Sequence, residues 1–422
     1  MTEERIRSLD LAEATFWLFD AASSMNFAVY ACCSGRLELS ALQAALGEIQ
    51  KRHPLLSVRI HQDVEQSRLD FYSAPEAPIS VRGVSLAEGA FLSQCYEHIA
   101  ASMLQPFEAG EHPLVRCEFL ESSDQFSVVL VFHHSIADGR SGLKLLESLF
   151  SILAGKEEGA KASPEFPPPL HPAFEEKMGP MSGADGALKS PVALPFFGKR
   201  GGAPRAFLSS IEVPPSELHH LRAHAREKGA TLQGALGAAI LGALARLGNV
   251  SGLLSLASPV DLRGKIDQPA DVLALYISLI TSVVNVDPED PWKAAPEITH
   301  DLHGQMAQAL QFYAMLPPPQ RYLAKPDPAK PYGAFLQRLP VAAALSNAGP
   351  VAPFPDGTDW QVDRVEFSVH PSLSQVLFAS VTTYKDRLHM TIHIDANRWP
   401  EDGPQTFLQY LNENLRRMSE GA

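Results

Sequence analysis

The stretch Val128-Val129-Leu130-Val131-Phe132-His133-His134-Ser135-Ile136-Ala137-Asp138-Gly139 runs from an apolar segment into two adjacent histidines and a polar turn. Five successive aliphatic or aromatic residues before the histidines, and a glycine after them, predict a buried strand that ends in a loop. Side chains alternate faces along a strand, so His134 shares a face with Phe132 and Leu130, while His133 points the other way with Val131. One cleft therefore receives only one of the two imidazoles. Beyond Gly139, Leu143, Leu146, Phe150 and Leu153 recur at helical spacing, so the turn holding Asp138 feeds a helix.

Working outward, residues 25–39 read as strand, and Ser40 with Gln43 three residues on has the pattern of a capping box. The helix it opens carries an apolar stripe of Leu42, Leu46 and Ile49 and stops at His53-Pro54. Strands at 56–61, 68–72 and 79–84 and a helix over 90–103 follow. Residues 114–120 alternate, with Val115, Cys117 and Phe119 on one face, as a strand beside the histidine strand does. Residues 155–205 scatter prolines from Pro164 to Pro195 among small and charged residues, and read as a crossover. The expected division is 1–160, a linker at 161–204, and 205–422.

Past the linker, Phe207, Ser209, Ile211 and Val213 alternate, and Pro215-Ser216-Glu217 opens a helix with Leu218, Leu221 and Ala225 inward. This strand, cap and helix repeat the order seen over 37–49, which suits two like halves. Thr231 caps the next helix, 253–260 and 273–286 read as buried strands, and 291–312 as one amphipathic helix. A proline-rich segment at 316–340 precedes strands at 341–345, 361–369, 375–383 and 388–394, the last two joined by a Lys385-Asp386 turn. A helix over 403–418 closes the sequence.

The chain has 422 residues, 45% of them hydrophobic and 20% charged, an ordinary globular balance that suits two units of about 200 residues. A net charge of −13 argues against nonspecific binding to nucleic acid or an anionic membrane. The N-terminal residues lead into no apolar signal core, and the apolar stretch 232–247 is too short for the ~20 residues of a span. Cys32, Cys33, Cys95 and Cys117 show no metal or redox spacing and read as buried thiols of a cytoplasmic protein. Phosphate-binding glycine loops and a nucleophile elbow are absent from the sequence.

His133-His134-Ser135-Ile136-Ala137-Asp138-Gly139 resembles the HHxxxDG signature of the thioester-dependent acyltransferase superfamily. That superfamily takes in chloramphenicol acetyltransferase, nonribosomal peptide condensation domains, wax ester synthases and polyketide-associated acyltransferases. Ser258-Pro259-Val260-Asp261-Leu262-Arg263 is similar to the PVDLR segment of the polyketide-associated branch. Ser346-Asn347-Ala348-Gly349 is similar to an asparagine-containing turn that approaches the active site in relatives. A DFGWG-like segment is missing over 340–360, which sets the chain apart from the plant branch.

The resemblance implies an α/β fold of two chloramphenicol-acetyltransferase-like halves with a tunnel at their junction. It assigns the catalytic base to His134 and a structural role to Asp138, with Arg263 as its ionic partner across the halves. Read from the residues alone, Arg263 is either that partner or a solvated loop arginine. A buried carboxylate needs a cation, and arginine supplies a bidentate one. His133 is read as structural. Gly139 gives the turn either backbone freedom or a close helix approach. Asn347 either contacts substrate or oxyanion, or only shapes a turn. A metal on His133, His134 and Asp138 is disfavoured, because neighbouring strand histidines point apart.

The implied reaction moves an acyl group from a CoA or acyl-carrier-protein phosphopantetheine thioester to a hydroxyl acceptor. It needs no cofactor and no acyl-enzyme. Amide formation on an amine acceptor, and a noncatalytic carrier-docking role, are the competing readings. A monomer is expected.

Overall fold

A computed structural model describes residues 4–107, 110, 113–156, 165–178, 190–198, 202–316, 318–323, 325, 327–336 and 341–421. Its strands are β1 (Arg5–Ser8), β2 (Asn26–Gly35), β3 (Val58–Asp63), β4 (Arg68–Ser73), β5 (Ser80–Ser85), β6 (Val115–Glu121) and β7 (Gln125–His133). In the second half they are β8 (Ala206–Val213), β9 (Gly252–Asp261), β10 (Ile277–Val286), β11 (Val341–Val351), β12 (Trp360–Val369), β13 (Gln375–Tyr384) and β14 (Arg387–Asp395). Among the described residues they form sheets of order β12-β2-β7-β6-β5, β10-β9-β11-β13-β14-β8 and β1-β4-β3. This is the two-halved α/β architecture that the motifs imply.

The histidine strand β7 lies inside the first large sheet, antiparallel to β2 and β6. Burial on both faces explains its unbroken apolar run. Val128, Leu130 and Phe132 belong to the main core, while Val129 and Val131 join the second cluster beneath helix Phe91–Met103, so the two faces separate as alternation requires. After the turn, helix Gly139–Leu153 packs back over β2, burying Leu143, Leu146, Leu149 and Phe150. The close crossing depends on glycine: a Cβ at Gly142 would lie 2.7 Å from Val29 Cγ1 and 3.0 Å from Phe27 Cε2.

The structure corrects several expectations. Strand β12 hydrogen-bonds to β2, so the second half lends a strand to the first half's sheet. Of the linker expected at 161–204, 161–164, 179–189 and 199–201 lie outside the described residues, as do 317, 324, 326 and 337–340 of the second proline-rich segment; helices Leu170–Met178 and Lys330–Leu336 form in the described parts. Ser40 sits inside the first turn of Leu39–Arg52, and the N-cap, Glu38, makes no side-chain bond. The helix expected over 291–312 is interrupted after Gln305, one residue beyond Gly304, a poor helix former. Helix Leu11–Asp20, which sequence reading passed over, is closed by a capping box in which Asp10 binds the Glu13 amide and Glu13 the Asp10 amide.

Among the described residues no single helix is long and apolar enough to cross a membrane; helix Leu232–Gly248 is a core element with 234–245 buried. The four cysteines are unpaired and buried.

The Gly142 crossing gives a test of this packing. Gly142→Ala should destabilise the fold by about 1–3 kcal/mol, the usual cost of overpacking. Denaturant unfolding measures it, and an unshifted midpoint would contradict the close approach.

Candidate active site

Asp138 is the N-cap of helix Gly139–Leu153, its Oδ1 accepting from the Ser141 amide at 2.9 Å. The same carboxylate accepts from Arg263 Nη1 at 2.9 Å and Nη2 at 3.2 Å, and from the Tyr276 amide at 2.9 Å. Both partners are buried, at 0% and 2% side-chain exposure. Burial pushes the Asp138 pKa up, but the Arg263 charge and hydrogen bonds, with the Ser141 and Tyr276 amides, hold it below the ordinary carboxylate value. Burial lowers the Arg263 pKa, yet Asp138 and Asp261 raise it overall.

The two Nη groups have further partners, while among the described residues Nε makes no hydrogen bond. Arg263 Nη1 reaches Asp261 Oδ1 at 2.9 Å, and Nη2 reaches Ser141 Oγ at 2.6 Å and the carbonyls of Val272 and Ala274 at 3.2 and 3.1 Å. This explains why β10 begins at Ile277 rather than at 273. Just before it the Tyr276 carbonyl still accepts from the Leu262 amide, but the Tyr276 amide and the Ala274 backbone are taken up by Asp138, Ser141 and Arg263.

His134 follows the end of β7 and is 5% exposed. Its ring stacks on Phe16 at 4.4 Å between centroids and lies 4.8 Å from Phe27. Burial pulls its pKa down to about 4, against an upward pull from Asp138 and from the backbone of His134 and Ala137. The imidazole is therefore neutral at pH 7.

His134 forms part of the wall of a cavity of about 480 Å³. The first half contributes Phe16, Phe19, Met25 and His134, and the second contributes residues such as Ala257, Leu279, Val341 and Phe378. The cavity thus lies where the halves meet, and its wall is mainly apolar.

His133 stands apart from this cavity wall, packed against Trp17 and Phe107 with ring centroids 4.9 and 6.1 Å away. Its Nδ1 accepts from the Ser135 amide at 3.1 Å, which leaves the proton of the neutral ring on Nε2, 3.8 Å from Asp20 Oδ2. Burial holds the His133 pKa at about 3 and raises that of Asp20 to about 6. Gly139 serves close approach rather than freedom: its Cβ would meet the Phe367 ring of β12 at 3.1 Å, and its φ is not among the positive ones.

Asn347 lies outside the cavity wall. Its Oδ1 accepts from the Gly349 amide at 2.9 Å, across a register shift in β11 where Gly349 has φ of 75°. It shapes a bulge in a strand that runs on to Val351. Sequence reading missed Phe16 and Phe19, for which the Asp10 and Glu13 capping pattern was the available signal. It also missed His370 in the cavity wall, whose Nδ1 lies 3.2 Å from His393 Nε2. His393 Nδ1 in turn lies 3.1 Å from Ser368 Oγ.

The family model described as "Condensation domain" matches residues 16–175. A second, described as "Phthiocerol/phthiodiolone dimycocerosyl transferase C-terminus", matches residues 205–393. The chain is thus similar to condensation domains in its N-terminal part and to an acyltransferase C-terminus in the rest. It is 26% identical over 400 residues, 86% of its own length, to a probable non-canonical nonribosomal peptide synthetase of Salinispora arenicola, of which it spans 5%. It spans 4% of chondramide synthase of Chondromyces crocatus, to which it is 31% identical over 166 residues, or 38% of the chain. Polyketide synthase associated protein 5 from Mycobacterium tuberculosis shares its fold, with a TM-score of 0.67 at 17% identity, over 99% of this chain and 98% of that one.

The condensation-domain fold is tied together here by the Asp138–Arg263 pair, which a double-mutant cycle can weigh. Asp138→Ala and Arg263→Ala should each cost roughly 3–5 kcal/mol, the penalty for stranding a buried charge. The double variant should lose less than the sum in urea unfolding. Strict additivity would show that the two groups do not support each other.

Proposed function

We propose that the chain transfers an acyl group from a thioester, on CoA or the phosphopantetheine of an acyl carrier protein, to a hydroxyl acceptor. The observation that carries this reading is a neutral, desolvated imidazole in the wall of a mainly apolar cavity between the halves. His134 accepts the acceptor's O–H proton as the oxygen attacks the thioester carbonyl. The tetrahedral intermediate then collapses, the C–S bond breaks, and the imidazolium returns the proton to the departing thiolate.

Direct transfer suits a cavity in which three of the lining hydroxyls are engaged elsewhere: Ser372 and Ser374 bond each other, and Ser255 accepts from the Ala342 amide. Two substrates held together then supply the proximity that a covalent intermediate would otherwise provide. Because the thioester is already activated, the reaction needs neither metal nor nucleotide. The proposed setting is a monomer in a reducing cytoplasm, where four buried cysteines remain thiols.

The match of residues 16–175 to the condensation-domain model favours a second reading, amide formation on an amine acceptor. A panel of acyl thioesters against mixed alcohols and amines, read by mass spectrometry, separates the two. Ester products support the first reading and amides the second; no thioester consumption with any acceptor would leave a noncatalytic carrier-docking protein.

His134→Ala should lower turnover by at least about 10²-fold in a folded protein, the low end for a general base. His133→Ala should act mainly on thermal stability, and equal rate losses at both positions in stable proteins would contradict the separation of their faces. The pH profile gives an independent check. A protonated imidazole cannot accept a proton, so kcat/KM should fall in acid with a midpoint near pH 4, rather than near the ~6.5 of a free histidine. An acid limb centred near 6.5 would place the base in water.

A further inference from the structure

The segment joining β12 to β13 gives the cavity a polar stretch of wall. Ser372, Ser374 and Gln375 all line it, at 6%, 9% and 8% exposure. The turn is locked by reciprocal bonds: the Gln375 amide donates to the Ser372 carbonyl at 3.1 Å, and the Ser372 amide donates to Gln375 Oε1 at 3.0 Å. Arg398 Nη1 donates to the Leu373 carbonyl at 3.0 Å, and the Ser372 and Ser374 hydroxyls bond each other at 2.7 Å.

These bonds decide the orientation of one carboxamide. A backbone N–H only donates, so the atom facing Ser372 must be the oxygen, and Nε2 is turned the other way. Among the described residues no hydrogen bond from Nε2 of Gln375 is present, although the residue is more than nine-tenths buried. An amide donor without a partner in the polar stretch of a mainly apolar wall gains most from an oxygen acceptor brought in by a ligand.

We propose that Gln375 is a specificity-determining residue that donates a hydrogen bond to a carbonyl or carboxylate oxygen of a substrate in the cavity. The inference rests on the acyl-transfer reading, in which two sources of that oxygen exist: the thioester donor, or an acceptor carrying an ester or acid group. The choice of ligand by Gln375 needs no turnover, so its test is separable from that reading.

Calorimetric titration with two matched ligand pairs distinguishes the sources. The first pair is S-octanoyl-N-acetylcysteamine and its S-octyl thioether, which lacks the acyl carbonyl; the second is methyl 8-hydroxyoctanoate and 1-octanol. Wild-type protein should prefer the carbonyl-bearing member of one pair by about tenfold or more, a difference of one good hydrogen bond. Gln375→Glu retains an acceptor for the Ser372 amide but removes the donor, and should abolish that preference. Gln375→Met, uncharged and of similar size, should do the same if the buried carboxyl of the first variant impairs folding.

Preference in the first pair assigns the oxygen to the donor, and in the second to the acceptor. Equal binding within both pairs, no binding by any of the four, or a preference unchanged in the folded variants would each overturn the proposal. Failure of the acyl-transfer reading would show separately, as absence of product from the thioester panel.

Discussion

A carboxylate with no access to water must be neutralised where it stands, and Asp138 meets that demand with a guanidinium and two backbone amides. The arrangement joins the histidine turn, the first turn of helix Gly139–Leu153, the Arg263 loop after β9 and the chain leading into β10. None of these segments shifts without stranding a donor or an acceptor. Net stability is not the main return, since a buried ion pair roughly offsets its own desolvation, whereas breaking one is costly. What the pair supplies is position: it fixes the mouth of β7 against the second half, and so fixes His134 relative to the walls that β9 and β10 provide.

The strand, turn and helix around His134 were legible because each rests on a local pattern. Apolar runs report burial, and the 3.6-residue recurrence after Gly139 reports the helix. The ion pair followed from charge chemistry and the resemblance together, and the structure brings Asp138 and Arg263 to 2.9 Å. The placement of β12 was not legible, because alternation reports which face a residue takes but not which strand lies beside it. The lead-in to β10 misled for a related reason. Leu273 to Tyr276 are buried and apolar enough for a strand, yet the Ala274 backbone and the Tyr276 amide answer polar side chains rather than a ladder.

At Asn347 the structure adds a local role that the motif does not report: its oxygen closes on the amide two residues ahead and stabilises a bulge. Phe16 and Phe19 went unnoticed although the pattern of Asp10 and Glu13 marks the start of their helix. That helix matters chemically, because Phe16 covers one face of the His134 ring and contributes to the burial that depresses its basicity.

In the proposed thioester-to-hydroxyl reaction, the depressed basicity has consequences for both proton transfers. An imidazolium with a pKa near 4 is a strong acid beside a thiol of roughly 8.5, so returning the proton to the departing thiolate runs downhill. Taking the proton from an alcohol is correspondingly uphill, and a weak base alone would serve it poorly. The deficit has to come from holding the hydroxyl and the thioester carbonyl in register, and effective concentration is the contribution a mainly apolar cavity can make. The Arg263 guanidinium matters here a second time. An unneutralised Asp138 carboxylate would pull the His134 pKa upward more strongly, so the same pair that anchors the turn also limits the charge that reaches the imidazole. Anchoring and tuning are in this way one interaction, and the geometry of the base cannot be altered through Asp138 without altering its proton affinity.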